Sequence, residues 1–461
     1  MASNGFENAA QKLPLFDATP DSILIDTQRL IKETRTVQDE VVKMVHGPQH
    51  ATFDNTLQPL AHQANIFAEK SHMLRFYSDV SPNLEMRRAS NEAGELLNDF
   101  EIDSVGREDI FHLIDAVYKN REREDLGVES CLLLEQEHHK FISNGLGLSA
   151  AQQRDNIKGM KKRLSQLSTE FQKNLNEEDG GIWFTREELE GVPNDVLEGA
   201  EKREEHDLGK LEVRLTFQSP DYFAVMNHAR HDKTRKRMFL ENENKCVRNV
   251  PILKEALVLR NEIARLLGYN NHAAYRLSEK MVKSPTAVNN FLADLRANLT
   301  NRGCKEIEKL KQIKEHDVGV EHFNGHYYLW DHRYYHSMLL KTEFMVDQEK
   351  VSEFFALHTA VRGMLSIFEK ILGLRFTLYI DPRGAAGRGR VDNGLTWHED
   401  VQLYSVRDDE TEGGGFVGYL YMDLHPRPGK FSHIANLNIQ PVRIAPVFYC
   451  RDVTKASHRG S

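Results

Sequence analysis

From Ile157 onward, apolar side chains return every three or four residues, at Met160, Leu164, Leu167, Phe171 and Leu175, while Lys161, Lys162, Gln166 and Lys173 fall on the other side. That spacing is the 3.6-residue period of one buried stripe, and it commits the stretch to an amphipathic helix. Gly180-Gly181 ends the run. Shorter versions of the pattern cover Asp109 to Tyr118 and Leu132 to Phe141, with Pro14, Pro20, Pro48, Pro59 and Pro82 as punctuation. The first 175 or so residues therefore read as successive helices. A chain of 461 residues exceeds the roughly 250–300 at which single cores divide, so more than one subdomain is expected.

The period changes once past Gly180. Leu211, Val213, Leu215 and Phe217 alternate with Glu212, Arg214 and Thr216, the two-residue repeat of a half-buried strand, so a small sheet is expected between Gly180 and Pro220. Helices resume near Asp221. Ile252 to Leu267 is a packing helix with Gly268 placed for a left-handed C-terminal cap, and Ser284-Pro285 reads as N-cap and first residue of a helix that packs through Val288, Phe291, Leu292, Leu295 and Leu299. Val351 to Leu372 is expected to be one more helix, ending at Gly373. Pro382 to Gly394 is rich in Gly, Arg and Ala but has no phosphate-loop order, and reads as a flexible surface loop. Val401 to Val406 and Phe416 to Leu424 read as a hairpin joined by the acidic stretch Asp408 to Gly415. No internal repeat or heptad array is visible.

Composition narrows the function classes. With 60 basic and 69 acidic residues interspersed, the net charge is −9 and no basic stripe offers itself to a phosphate backbone, so nucleic acid is not an expected partner. Cys131, Cys246, Cys304 and Cys450 are far apart and form no CxxC pair, which argues for reduced thiols rather than a disulfide framework or thiolate zinc site. No apolar run approaches the roughly 18 residues of a membrane span. The opening residues, Met1 to Phe16, lack a basic then apolar leader and are poor in Arg. A cytoplasmic protein is expected, with a mitochondrial one still open.

A zinc hydrolase built on a helix places two histidines four residues apart with a glutamate after the first, HExxH, so that both imidazoles reach one ion and the carboxylate activates its water. None of the 21 histidines stands in that motif. His332 and His336 have the spacing without the glutamate, with Asp331 as a candidate to orient the His332 ring; the bland reading is an aromatic cluster at a helix start. His322 and His326 flank Asn324-Gly325 and read as loop. His228 with His231, and Glu135 with His138 and His139, read as charged helix faces rather than ligand sets. There is no GxSxG elbow for nucleophilic catalysis.

Several local motifs nevertheless occur in a fixed order: Phe184-Thr185-Arg186-Glu187-Glu188-Leu189-Glu190-Gly191-Val192-Pro193, the Leu211 strand, Arg260 to Tyr269 with its Leu-Leu-Gly-Tyr end, Tyr328-Leu329-Trp330-Asp331-His332-Arg333-Tyr334-Tyr335, Trp397-His398-Glu399-Asp400-Val401, and Phe416 to Arg427. Together they resemble the thimet oligopeptidase, neurolysin and saccharolysin family of zinc metallopeptidases, most clearly the fungal saccharolysin type, from about residue 20 to Gln440. The resemblance implies a mainly α-helical, two-lobed, clam-shaped oligopeptidase fold with small β elements, hydrolysis of short peptides in a channel, and a zinc held by an HExxH helix. That helix has no counterpart in these 461 residues, so the chain is expected to lack the C-terminal catalytic part, to hold no zinc, and to be inactive as it stands, a truncated or mis-spliced form. The alternative is a non-catalytic peptide-binding or regulatory protein. The expected organisation is an N-terminal helical region over 1–175, the start of the peptidase domain over 176–440, and a divergent tail over 441–461. No catalytic or metal residue is assigned. Gly418 and Tyr419, on the hairpin strand, are the candidate substrate-binding residues; short peptides are the expected partners, and association through exposed apolar surface is expected as well.

Overall fold

The computed structural model describes residues 13–204, 211–345, 348–380, 394–425, 427–431 and 435–440. It is mainly helical, with two small antiparallel sheets. In chain order the elements are α1 (Pro20–Val45), α2 (Gln58–Val80), α3 (Leu84–Ser104), α4 (Glu108–Asn120), α5 (Val128–Phe141), α6 (Ala151–Asn176), β1 (Gly181–Thr185), α7 (Asn194–Gly199), β2 (Glu201–Glu204), β3 (Leu211–Thr216), α8 (Ser219–His228), α9 (Asp232–Glu243), α10 (Asn249–Leu266), α11 (His272–Leu277), α12 (Pro285–Val318), α13 (His332–Glu343), α14 (Gln348–Glu353), α15 (Leu357–Leu372), β4 (Leu374–Ile380), β5 (Gln402–Asp408) and β6 (Phe416–Met422). Two compact units result, one drawn from Met1–Glu170, Val258–Gly268 and Arg362–Ser461, the other from Phe171–Leu257 and Tyr269–Val361.

In the first unit α1, α2 and α3 bury one shared core: Ile23 and Leu30 from α1, Phe67, Leu74 and Tyr77 from α2, Ala93, Leu97 and Phe100 from α3. Each such large side chain withdrawn from water contributes about 1.5–3 kcal/mol. Capping sets the starts. Thr19 Oγ1 accepts from the Ser22 amide at 3.2 Å while Ser22 Oγ accepts from the Thr19 amide at 2.8 Å, a reciprocal box with Pro20 following it. Asn83 Oδ1 accepts from the amides of Glu85 and Met86 at the start of α3. A second core joins α4 to α5 through Ile110, Ile114, Val117 and Leu134. The sheet of this unit has the order β4-β5-β6.

The second unit carries the sheet β1-β3-β2. Its alternation follows the sequence: Ile182 and Phe184 of β1 and Val213 and Leu215 of β3 are buried against Val225 of α8 and Met238 of α9. Gly191 closes the turn after β1 at φ +94°, where a Cβ would collide with the His228 carbonyl oxygen, so two demands select glycine there.

Most expected elements are present. α6 covers Ile157 to Leu175, although only Ile157 and Leu167 are fully buried. Gly268 and Gly373 adopt positive φ after α10 and α15, and Ser284 Oγ accepts from the Ala287 amide at 3.2 Å at the start of α12. Three expectations need correction, and one element is new. The helix expected over Val351 to Leu372 is two, α14 and α15, interrupted at Phe354 and Phe355, both exposed. The apolar stripe of α12 does not pack: Phe291, Leu292, Leu295 and Leu299 are all exposed. His228 and His231 share no helix face, since His228 ends α8 and His231 precedes α9. Strand β4 was not anticipated at all. The loop expected over Pro382 to Gly394, apart from Gly394, and the tail 441–461 lie outside the described residues.

Candidate functional site

β6 forms one edge of the first unit's sheet among the described residues, antiparallel to β5. Gly418 stands opposite Val406 and Tyr419 opposite Ser405, so both candidate residues lie in the body of this strand. The register slips between Val406 and Arg407, whose partners are Gly418 and Phe416, which leaves Val417 as the extra residue of a bulge. Gly418 has no positive φ, and a Cβ added to it would meet nothing within 4 Å. Neither the backbone nor the neighbours therefore require glycine there. An open, side-chain-free position in mid-strand marks a place where another backbone can approach closely. The Tyr419 ring packs 4.9 Å from that of Phe416, and burial raises its hydroxyl above the usual phenol range, Tyr379 adding to the effect and Arg407 opposing it.

The end of β6 is tied down by Asp423. Its carboxylate accepts from Trp397 Nε1 at 2.9 Å, from both terminal nitrogens of Arg427 at 2.7 Å, and from Lys430 Nζ at 2.9 Å. Arg427 also donates to the Val80 carbonyl at the end of α2, at 2.7 Å from Nη2, and the Phe431 amide donates to the Asp79 carbonyl at 2.7 Å. Burial pushes the Asp423 carboxyl up, but the hydrogen bonds from Arg427, Lys430 and Trp397 outweigh it and hold the group at about 2. Trp397 continues the anchor into the core, its ring 4.7 Å from Phe76, 4.9 Å from Phe16 and 5.3 Å from Tyr421.

In the second unit Asp331 is fully buried. It accepts from Arg235 Nη2 at 3.2 Å, from Lys314 Nζ at 2.7 Å and from the Tyr328 amide at 2.9 Å. Arg235 spends its other terminal nitrogen on the carbonyls of Ala229 and Arg230 and stacks over Tyr334 at 4.2 Å. Asp331 is thus a structural hub joining α9, α12 and the start of α13. The candidate role of orienting His332 is not what it does: its carboxylate serves Arg235, Lys314 and the Tyr328 amide, while His332 Nδ1 lies 3.4 Å from the Tyr327 hydroxyl, and the aromatic cluster at a helix start stands as read.

His336, one turn further along α13, stacks on His332 with ring centroids 5.9 Å apart. His138 stacks on Tyr118 with centroids 4.0 Å apart, and its Nε2 lies 3.1 Å from Asp115 Oδ1. His322 and His326 lie in the segment between α12 and α13, as expected. Among the described residues no group of three or more His, Cys, Asp or Glu side chains is arranged to hold a metal ion.

Compared with known proteins, residues 225–460 match the model of peptidase family M3. The chain belongs to that family. The M3 match runs past Gln440, where the resemblance read from the motifs stops, into the segment 441–461. The chain is 35% identical over 404 residues to oligopeptidase PhomG′ of Diaporthe leptostromiformis, covering 86% of this chain and 32% of that protein. It is 35% identical over 443 residues to saccharolysin of Saccharomyces cerevisiae, covering 95% and 60%. With a thimet-like oligopeptidase of Dictyostelium discoideum it shares 30% over 393 residues, covering 83% and 56%. The chain thus spans about a third to three fifths of the length of these M3 relatives. No helix among the described residues is long and apolar enough to cross a membrane.

The motifs that carry the M3 resemblance do structural work here. Phe184, Leu189 and Val192 build the core of the second unit, Asp331 its buried hub, and Trp397, Asp423 and Arg427 the anchor of β6. Asp423 and its cations escaped the sequence reading. The signal available was Asp423, Arg427 and Lys430 at steps of four and three, within the Phe416 to Arg427 motif and just beyond it.

Proposed function

We propose that this chain forms a peptide-binding part of a zinc oligopeptidase that hydrolyses short peptides, with β6 as the edge to which an extended peptide adds. The observation that carries the reading is Gly418, a mid-strand glycine with open space above it on the edge strand of an anchored sheet. Main-chain hydrogen bonds to a sheet edge supply affinity without demanding a particular sequence, which suits a general oligopeptidase. The Asp423 anchor supports this by fixing one end of β6 before a peptide arrives. In this reading the residues present bind and orient a peptide but do not cleave it, in keeping with a sequence that holds no HExxH and with no group of three or more metal-ligating side chains among the described residues. The organisation we attach to it is a helical region over 1–175 followed by the start of the peptidase part over 176–440. A reducing compartment, the cytoplasm, is the proposed setting, in keeping with the free thiols of Cys131, Cys246 and Cys304. Exposed apolar residues on α12 of the second unit, such as Phe291 and Leu299, are the proposed surface for association.

The test is to express the chain and titrate a labelled short peptide by fluorescence anisotropy, in parallel with cleavage of a quenched-fluorescent peptide and assay of zinc retained through gel filtration. Saturable binding, weakened at least ~10-fold by Gly418→Val and unaccompanied by turnover, is expected where the peptide backbone lies close to the open position at Gly418. Unchanged affinity in the variant, or turnover with retained zinc, would contradict the reading.

A further inference from the structure

We propose that His332 and His336 form an accessory, exchangeable site for a late first-row divalent cation, distinct from the peptidase zinc that the family implies. The two residues occupy the first turns of α13, four positions apart, and both are exposed. Their rings lie side by side, with centroids 5.9 Å apart and planes inclined by 22°. One helical turn of separation on one face is the arrangement in which two imidazoles reach a single ion. Imidazole suits Zn2+, Cu2+ and Ni2+ and has little attraction for Mg2+.

The surroundings favour ligation at His332 Nε2. Its Nδ1 lies 3.4 Å from the Tyr327 hydroxyl, and in the tautomer that donates to that oxygen the Nε2 lone pair is left for a metal. The backbone under the pair is fixed in advance: the 3-10 turn Leu329–Asp331 leads directly into α13, and Asp331 locks it to Arg235 and Lys314. No ordering of the turn has to accompany binding. Arg333, which follows His332 in the chain, is drawn over the ring of Phe223 at 4.2 Å. Two effects limit affinity: the positive end of the α13 dipole, and the lack of a third protein donor among the described residues. Water would complete the coordination shell, and Arg333 rather than a glutamate follows His332, so the role proposed is binding rather than hydrolysis. Five of the 21 histidines fall within residues 316–336, so the assignment to one pair must be separated from its neighbours.

The test uses the chain without a polyhistidine tag, titrated with Ni2+ by isothermal calorimetry, with circular dichroism confirming that each variant keeps its helix content. The expected result is one Ni2+ per chain, no response to Mg2+, and a loss of affinity of at least ~10-fold in His332→Gln and in His336→Gln. His322→Gln/His326→Gln should bind like the unaltered chain. The proposal is overturned if Ni2+ does not bind, or if the double variant His332→Gln/His336→Gln binds it as before. Peptide binding at β6 involves none of these residues, so failure of one proposal leaves the other standing.

Discussion

Replacing Asp423 by Asn tests the anchor of β6 quantitatively. The substitution keeps the shape of the side chain and removes the charge on which Arg427 and Lys430 converge. The carboxyl is held at about 2 against an ordinary value of 3.8, a difference worth about 2 kcal/mol in favour of the folded, ionised state. Arg427, only 7% exposed, is left without a full partner in the variant, and that cost is contained in this difference, so a loss of about 2 kcal/mol is expected. The sign of the pH dependence follows from the depressed value: this stabilisation is complete above the ordinary carboxylate range and is lost as pH falls from near 4 toward 2. Urea denaturation monitored by hydrogen exchange in β6 and the end of α2 would read the effect locally, which matters in a chain of two units where a single midpoint is ill defined. The unaltered chain should lose protection between pH 4 and 2, and Asp423→Asn should start low and show no such loss from this group. A double-mutant cycle with Arg427→Met should return a coupling of about 2 kcal/mol. Equal protection in the variant and the unaltered chain at neutral pH, or a coupling near zero, would refute the reasoning.

Two further perturbations probe the second unit. Asp331→Asn should cost about 3–5 kcal/mol, because it strands Arg235 and Lys314 in the interior, and limited proteolysis should then cut near α13 before other sites. Gly191→Ala should cost at least ~1–3 kcal/mol from strain at positive φ and the contact with the His228 carbonyl, read as a lowered urea midpoint of the unit carrying β1 and β3.

The legible parts of this fold are those with local causes. The caps at Ser284 and Gly268 and the alternation through Val213 and Leu215 each depend on residues a few positions apart, and the structure contains them as read. Strand β4 was legible too: Leu374, Phe376, Leu378 and Ile380 alternate with Arg375, Thr377 and Tyr379, and their nearness to the end of α15 hid the change of period. β2 was not, since Glu201–Glu204 is an exposed edge strand with no apolar residue to set a pattern. The hub role of Asp331 was not legible because its partners, Arg235 and Lys314, stand 96 and 17 positions away, a distance over which spacing carries no information. For the candidate site, the hairpin was readable, but the bulge at Val417, the space over Gly418 and the link from Arg427 to Val80 arise only once β5 and α2 are in place.

The central claim is that an extended peptide adds to β6. Hydrogen–deuterium exchange of the chain with and without a saturating short peptide addresses it most directly, since strand addition must slow exchange of the outward-facing amides of Phe416–Met422. The account predicts new protection confined to that strand, which disappears in Gly418→Val while β5 stays protected. Protection arising elsewhere with β6 unchanged, or equal protection of β6 in Gly418→Val, would contradict it.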